Sequence, residues 1–277
     1  MWMPSSTVKS LSVGNYWLFS IVQMAIIFKE KRVHMSKQLE GVNVLLFGGS
    51  GGIGSELTRV LIANGVASII VASKRQAKLK LECDSISNEL VDVTDLKSVQ
   101  NLAKRVESRD ISVVINCTGI NSNARLSVVN GLENARNEME VNYFGLLNVS
   151  TVIGPMLFAR GGGVFIQVLS FLSHVNLPAM ATYCASKAAA HSVTQALRAE
   201  WKSKGIRVCG VYPTAVDTTM SRDQNGPKLS PAVLATEIVE GLLNGTEDIY
   251  PGDASIAYQK LMRNPKAFEK EMAESIY

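Results

Sequence analysis

The run VLLFGGSGGIG, residues 44–54, combines an apolar β-strand pattern, a glycine-rich turn and the start of a helix. Glycine tolerates positive φ and lets another backbone approach closely, and the first turn of a helix offers unpaired N–H groups to a phosphate. Any tight turn between a strand and a helix favours glycine, but this one opens the first strand–helix unit of the chain. We therefore interpret it as the pyrophosphate site of a dinucleotide. The predicted contacts are Gly48, Ser50, Gly51, Gly52, Ile53 and Gly54.

Short apolar, β-branched runs alternate with helical stretches along the chain, which is typical of strand–helix–strand units around a parallel sheet. The predicted strands are residues 43–47, 68–72, 89–91, 112–116, 164–169 and 207–212, with a short one near Ile249. The predicted helices are residues 53–64, 95–107, 132–158, 181–204 and 231–243. Because the strands are apolar on both faces, helices should cover both sides of the sheet. The pattern predicts an α/β fold with a doubly wound parallel sheet, formed as one domain by residues 35–277.

Composition narrows the class of protein. Of the 277 residues, 47% are hydrophobic and 19% are charged, which suits a sheet covered on both faces and excludes a disordered chain. A net charge of +4 is too small and too scattered for nucleic acid to be a main partner. The four cysteines have no C-x-x-C spacing and there are only three histidines, so we expect buried thiols in a reducing compartment and no metal site.

The N-terminal residues 1–34 do not fit this pattern. Residues 16–28 (YWLFSIVQMAIIF) form an apolar run of 13 residues, shorter than the ~20 residues needed to span a bilayer. Three interpretations are open: a start assigned too early, with Met35 as the natural start, a membrane-associating anchor, or an additional ordered helix. We expect a cytoplasmic protein, with membrane contact only if residues 16–28 belong to it.

Tyr183 and Lys187 stand four residues apart, and Ser170 lies thirteen residues before the tyrosine. On a helix, positions i and i+4 share a face, so the phenol and the ammonium should point into the same space. A neighbouring cation stabilises a phenolate, and we therefore expect Lys187 to lower the pKa of Tyr183 towards the range that a general acid or base needs. A serine hydroxyl aimed at the same place could hold a carbonyl oxygen. With the glycine loop, these residues indicate hydride transfer to or from a carbonyl.

The residues after the second predicted strand indicate which dinucleotide binds. An NAD site favours a carboxylate at the end of this strand, where it binds the ribose hydroxyls. The chain has Ser73, Lys74 and Arg75 there instead, and the two cations suit a 2′-phosphate. A solvated basic helix face is the alternative interpretation. We predict NADP(H) as the cofactor, with these three residues among its contacts.

Further motifs follow in an order that resembles the short-chain dehydrogenase/reductase family, in its single-domain branch. They are the glycine loop, residues 116–119 (NCTG), Asn142, Ser170, the Tyr183–Lys187 pair and Pro213. The resemblance covers residues from about 41 to 253 and implies a Rossmann-type fold with helices on both faces of the sheet. It also implies catalytic roles for Asn142, Ser170, Tyr183 and Lys187, in which Asn142 keeps a proton-relay water and Lys187 also binds the ribose.

The same resemblance implies the remaining cofactor contacts. Asp92, followed by Val93, matches the acid that contacts the adenine ring. Segment 116–119, which is Asn116, Cys117, Thr118 and Gly119, matches the strand end beside the cofactor. Pro213, Val216 and Thr218 belong to a loop whose threonine touches the nicotinamide amide. Phe47, Cys117, Thr118 and Thr214 depart from the family pattern, which puts cofactor affinity and loop geometry in question but removes no catalytic group.

The most specific hypothesis is an NADPH-dependent carbonyl reductase that acts on a small-molecule carbonyl or alcohol. One alternative is an alcohol dehydrogenase that works in the oxidative direction, and another is a dinucleotide-sensing scaffold whose activity is incidental. The two long helices carry more apolar positions than one buried stripe requires, among them Tyr143, Leu147 and Val193. We therefore also expect a homodimer or homotetramer.

A chain that starts at Met35 should fold, bind NADPH and turn over as well as the full-length chain. The first predicted strand begins at residue 43, and every predicted catalytic or cofactor contact follows it. The apolar run at residues 16–28 should make the full-length chain the more prone to aggregation. Melting temperature, NADPH titration and light scattering of the two chains test this, and a large loss of stability or activity on truncation would show that the segment is integral.

Overall fold

The computed structural model describes residues 39–76, 83–127 and 130–274, and its centre is a sheet of seven strands in which every pairing is parallel. The strands are β1 Asn43–Phe47, β2 Ser68–Ser73, β3 Ile86–Leu90, β4 Val113–Asn116, β5 Gly163–Val168, β6 Ile206–Val211 and β7 Asp248–Ile249. Their order across the sheet is β3-β2-β1-β4-β5-β6-β7. This confirms the predicted Rossmann-type α/β fold with a doubly wound parallel sheet.

Helices connect the strands and cover both faces of the sheet. They are α1 Gly52–Ala63, α2 Leu96–Val106, α3 Gly131–Met139, α4 Gly145–Ala159, α5 Ala181–Trp201, α6 Pro231–Asn244, α7 Ala254–Arg263 and α8 Pro265–Glu274. Short 3₁₀ turns at Phe171–Ser173, Pro178–Met180 and Thr219–Ser221 lie at the carboxyl edge of the sheet. The predicted N-terminal extension of residues 1–34, with all three interpretations of residues 16–28, lies outside the described residues.

Successive side chains of the central strands point to opposite faces of the sheet and pack in two separate hydrophobic cores. In β1, Val44 and Leu46 pack with α1 and α6 on one face, whereas Leu45 and Phe47 pack with α2, α4 and α5 on the other. All four side chains have no exposed surface. Burial of such a side chain is worth roughly 1.5–3 kcal/mol, so the apolar character of both faces is what drives the helices onto the sheet.

The predicted helix at residues 132–158 is one helical segment, Gly131–Ala159, in which residues Glu140–Phe144 form a π turn between two α-helical parts. By length and composition alone the segment could cross a membrane, but its apolar residues Leu146, Val149 and Ile153 are core residues packed against the sheet. The π turn inserts one extra residue into the turn that carries Asn142, and such turns are frequent at functional sites. Apolar periodicity carries no signal for it.

Two further predictions about the fold were incomplete. The strand predicted at residues 89–91 is β3 Ile86–Leu90, an edge strand whose residues are half-buried or exposed, so it lacks the apolar run by which the other strands are visible. Helices α7 and α8 were not predicted at all. They pack against one another and against Phe171, away from the two faces of the sheet.

Candidate active site

The glycine loop after β1 is held in close backbone contact with its surroundings. Gly48 has φ +76°, and a Cβ there would lie 2.9 Å from the carbonyl carbon of Cys117, at the end of β4. A Cβ on Gly54 would lie 2.4 Å from the oxygen of Gly48, and one on Gly52 would lie 2.7 Å from Thr218 Cγ2. Gly51 is the residue before α1, and it has no side chain that could accept a hydrogen bond from the helix. The N–H groups in the first turn of α1 therefore face the loop. Any larger residue would close the cradle that these backbones form.

At the end of β2, two of the predicted cofactor contacts bind each other. The Nζ of Lys74 lies 2.6 Å from Oδ2 of Asp92, and Oδ1 of Asp92 accepts hydrogen bonds from the N–H and hydroxyl of Thr94. Although burial raises the pKa of Asp92, hydrogen bonds from Lys74 and Thr94 outweigh it and hold that pKa below the ordinary value. The Lys74 side chain is 75% exposed, so the ion pair is worth at most about 1 kcal/mol and is readily exchanged for another anion.

Asn116 fixes the end of β4 from inside the protein. Its side-chain N–H donates to Oε1 of Gln167 on β5 at 2.9 Å, while its carbonyl oxygen accepts from both the N–H and the hydroxyl of Thr118. Thr118 is one of the departures from the family pattern, and its hydroxyl adds a hydrogen bond to Asn116. Asn116 is 1% exposed and lines neither of the cavities described below.

Asn142, on the π turn, joins the loop after β4 to helix α5. Its amide accepts a hydrogen bond from the N–H of Ile120 at 2.8 Å and donates to the Ile120 oxygen and to Oγ of Ser186, both at 2.9 Å. The Ser186 hydroxyl in turn donates to the backbone oxygen of Tyr183 at 2.7 Å. Asn142 thus sets the distance between the loop at Gly119 and the helix that carries the Tyr183–Lys187 pair.

Ser170, Tyr183 and Lys187 converge at one place, as their spacing predicted. Ser170 lies two residues after the end of β5, and its side chain makes a hydrogen bond with the Tyr183 phenol. Lys187 donates to the oxygen of Val168 at 3.1 Å, and its Nζ lies 5.8 Å from the centre of the Tyr183 ring. Their exposed fractions are 7%, 9% and 4%, so all three groups sit in surroundings with little water.

The expectation that the cation lowers the pKa of Tyr183 does not describe this structure. Burial raises the pKa of Tyr183 above its ordinary value, and the hydrogen bond with Ser170 opposes that effect only in part. Burial also lowers the pKa of Lys187, to about 8, because an ammonium in these surroundings loses its hydration. The same effect raises the pKa of the Cys117 thiol to about 12. Desolvation is therefore the largest influence on the pKa of each of these three groups.

The loop after β6 forms part of the wall of the site. Pro213 accepts a hydrogen bond from the N–H of Phe171, and Val216 forms a bridge with Leu229. Thr214, another departure from the family pattern, donates its hydroxyl to Oδ1 of Asp253 at 2.6 Å, immediately before α7. The substitution therefore fastens this loop to the C-terminal helices.

Two cavities meet at this edge of the sheet. The outer one is a groove of about 540 Å³ that runs from Ser73, Lys74 and Asp92 past the glycine loop to Gly119 and Thr218. The inner one has a volume of about 330 Å³ and contains Ser170, Tyr183 and Lys187. Both are lined by Ile53, Cys117, Gly119, Thr218 and Met220, so a molecule in the groove can touch one in the inner cavity.

Most predicted site residues line one of these cavities. Ser50, Gly51, Ile53, Val93 and Thr118 line the groove, and Pro213 and Val216 line the inner cavity. Arg75 is exposed and, like Asn116, lines neither. The sequence motifs missed Ala257, Phe268 and Met272, which reach the inner cavity from α7 and α8. In residues 39–76, 83–127 and 130–274, no three His, Cys, Asp or Glu side chains are grouped as a metal ion would require.

Comparison with known proteins gives consistent matches. The model of the short chain dehydrogenase family matches residues 42–228. A 3-ketodihydrosphingosine reductase from Dictyostelium discoideum is 28% identical over 83% of this chain and 80% of its own. A galactitol 2-dehydrogenase (L-tagatose-forming) from Cereibacter sphaeroides is 33% identical over 66% of this chain and 75% of its own. The crystal structure of a short chain dehydrogenase from Burkholderia cenocepacia in complex with NADP has a TM-score of 0.80 and 32% identity, and the match covers 84% of this chain and 98% of that one.

Proposed function

Because this chain belongs to the short-chain dehydrogenase family of oxidoreductases, we propose that it is an NADP(H)-dependent carbonyl reductase acting on a small-molecule substrate. The observation that carries the proposal is that Ser170, Tyr183 and Lys187 together line the inner cavity, with Lys187 beside Gly119, which lines both the inner cavity and the groove. A carbonyl carbon placed there faces the groove, while its oxygen faces the serine and tyrosine hydroxyls. The groove is then the cofactor site and the inner cavity is the substrate site.

The groove has the shape and chemistry that a dinucleotide needs. Its 540 Å³ lie within the range of cofactor pockets, its floor is glycine backbone, and the start of α1 presents N–H groups to a pyrophosphate. The proposed contacts are those predicted from the sequence: Gly48, Ser50, Gly51, Gly52, Ile53, Gly54, Ser73, Lys74, Arg75, Asp92, Val93, Asn116, Cys117, Thr118 and Gly119, with Tyr183, Lys187, Pro213, Val216 and Thr218 at the nicotinamide end. When bound, NADPH supplies the hydride that the carbonyl carbon accepts.

The protein's own groups move the proton. As the carbonyl carbon gains the hydride, Tyr183 gives its phenolic proton to the carbonyl oxygen, and the product is an alcohol. Ser170 donates a hydrogen bond to the same oxygen and holds it in place. Lys187 stabilises the phenolate that is left behind, and Asn142 keeps Ile120 and Ser186 in position around the pair. In this proposal Asn142 also keeps the water through which Tyr183 regains its proton.

The protonation state of Tyr183 is compatible with the reductive direction. Burial holds the pKa of the phenol above its ordinary value, so Tyr183 carries at neutral pH the proton that reduction consumes. The 3-ketodihydrosphingosine reductase among the relatives supports the same direction. The galactitol 2-dehydrogenase supports the second candidate, an alcohol dehydrogenase acting oxidatively. Initial rates with carbonyl and NADPH, compared with rates for the matching alcohol and NADP⁺ at the same pH, separate the two.

A cytoplasmic location is part of the proposal. All four cysteines are free, which suits a reducing compartment. Membrane contact enters only through residues 16–28, which the structure does not describe.

Replacement of Tyr183 by Phe keeps the packing of the ring and removes the proton donor. We expect kcat for carbonyl reduction to fall by about 10²–10⁴, the contribution typical of general acid–base catalysis, with little change in NADPH binding. Tyr143→Phe, the same chemical change on the half-buried π turn, is the matched control and should keep its kcat within about twofold. Turnover at the native rate by Tyr183→Phe would refute the catalytic assignment and favour a scaffold that senses the dinucleotide.

The enzyme should prefer NADPH to NADH. Lys74, at the far end of the groove, and Arg75 follow β2, and charge-assisted hydrogen bonds from them to a 2′-phosphate would favour NADPH. A Lys74→Ala, Arg75→Ala double variant should lose most of the preference, measured as the ratio of kcat/KM for the two cofactors, and keep its activity with NADH. A Lys104→Ala, Arg109→Ala variant makes the same change in net charge on the exposed end of α2 and should keep the native ratio. Equal use of both cofactors by the native enzyme would contradict the proposal.

We expect a homodimer or homotetramer formed through the long helices. Tyr143, Leu147 and Val193, which suggested an interface, are half-buried. Elsewhere on the helical segment Gly131–Ala159, Leu132 and Phe144 are 65% and 47% exposed. Such exposed apolar surface usually marks an interface. Light scattering at micromolar concentration of a chain starting at Met35 should show the oligomer, and Phe144→Glu should dissociate it. Ile256→Glu, at a position on α7 that is 69% exposed, is the control, and a monomeric native protein would refute the proposal.

A further inference from the structure

The inner cavity is walled mainly by hydrocarbon and thioether side chains. Beyond the catalytic groups, its walls include Leu172, Leu177, Met180, Met220, Phe268 and Met272. They come from three regions that are far apart in sequence: residues 172–180 after β5, the turn after β6, and α8. A compound that fills this cavity therefore exchanges water for apolar contact over most of its surface.

Helix α8 contributes the far wall and is held there by its own apolar cluster. Phe268 is 5% exposed and packs edge-on against Phe171, with 5.7 Å between ring centres. Leu261 on α7 is buried in the same cluster, and Ala257, one turn earlier, lines the cavity. Phe171 directly follows Ser170, so the wall is packed against the turn that starts at the catalytic serine.

Three polar side chains of the inner cavity, apart from the catalytic ones, make hydrogen bonds to other parts of the protein. The Asn121 amide donates to Sδ of Met180 at 3.3 Å and accepts from the N–H of Asn123 at 2.8 Å. The Gln224 amide donates to Oδ1 of Asn123 at 3.3 Å. Thr214 donates its hydroxyl to Asp253. These groups brace the rim, and a substrate hydroxyl would have to displace an existing bond to use them.

Those bonds weigh against a polyhydroxylated substrate. Each hydroxyl that enters the cavity loses its hydrogen bonds to water, and a hydroxyl that finds no partner is costly to bury. A methylene group in the same place gains from leaving water. The cavity of about 330 Å³ lies at the small end of ligand pockets, so it fits a short to medium chain or one ring.

Building on the proposed function, we infer that the substrate is a carbonyl compound with an apolar body, an alkyl or aryl ketone or aldehyde, rather than a ketose. Its carbonyl lies at Ser170 and Tyr183, and its hydrocarbon part extends between Leu177 and Met180 towards Phe268 and Met272. The reaction is the one given above: the carbonyl carbon gains a hydride from NADPH, the oxygen gains the proton of Tyr183, and NADP⁺ leaves with the alcohol.

A homologous series of straight-chain 2-alkanones, from 2-butanone to 2-dodecanone, tests the substrate class. With NADPH held saturating, kcat/KM should rise by about fourfold for each added methylene until the cavity is full and then level off, which is the gain expected for a buried CH₂. A ketohexose at equal concentration should have kcat/KM at least about 100-fold below that of the best 2-alkanone.

Variants of the wall show whether the cavity causes this dependence. Leu177→Asn, which leaves α7 and α8 untouched, and Phe268→Ala should each flatten the rise of kcat/KM with chain length while 2-butanone is still reduced. Met272→Ala should act in the same direction. Met262→Ala is the matched control, because Met262 lies on α7 with 61% exposure and does not line the cavity, and it should keep the native series.

The outcomes separate this inference from the function on which it depends. A flat or falling series, no turnover of any 2-alkanone, or faster turnover of the ketohexose would overturn the apolar substrate class. If the ketohexose is reduced and Tyr183→Phe abolishes that activity, the carbonyl reductase proposal stands and only the apolar substrate class is wrong. If Tyr183→Phe keeps native turnover on whichever carbonyl is reduced, the proposed function itself fails.

Discussion

The reversal of strand order between β1 and β4 is the constraint on which the rest of this structure depends. β2 and β3 extend the sheet on one side of β1, and β4 to β7 extend it on the other, so the connections that leave the carboxyl ends of β1 and β4 diverge and open a crevice. The backbones at Gly48 and Cys117 still touch at its base, where a Cβ would not fit. The groove and the inner cavity both lie above that contact.

Buried amides give this crevice a defined shape before any ligand enters. Asn116 joins the end of β4 to β5, and Asn142 joins the following loop to α5 through Ile120 and Ser186. Removal of one partner would leave a buried polar group unsatisfied, at a cost of about 1–3 kcal/mol. Each amide therefore fixes one part of the loop after β4, and Asn142 also fixes the distance of that loop from the helix that carries Tyr183 and Lys187.

Desolvation dominates the electrostatics of the site. It raises the pKa of Tyr183 and Cys117 and lowers that of Lys187, so each group favours its neutral form more than it does in water. Ser170, Tyr183 and Lys187 themselves have little exposed surface, and the walls of the inner cavity around them are mainly apolar. The neutral state of Tyr183 and the proposed preference for an apolar carbonyl both depend on this burial.

The sequence by itself determined the fold class and most of the positions around the two cavities, because glycine cradles, doubly apolar strands and a Tyr-x-x-x-Lys spacing follow from local backbone geometry. Tertiary structure alone decided the rest. The edge strand β3 lacks an apolar run, and the π turn at Asn142 leaves no trace in periodicity. The placement of α7 and α8 beside the inner cavity depends on their packing against Phe171, a residue far away in sequence. The Lys74–Asp92 pair and the raised pKa of Tyr183 depend on what packs around them. Charge partners and desolvation are properties of neighbours in space, which residue spacing along a chain does not contain.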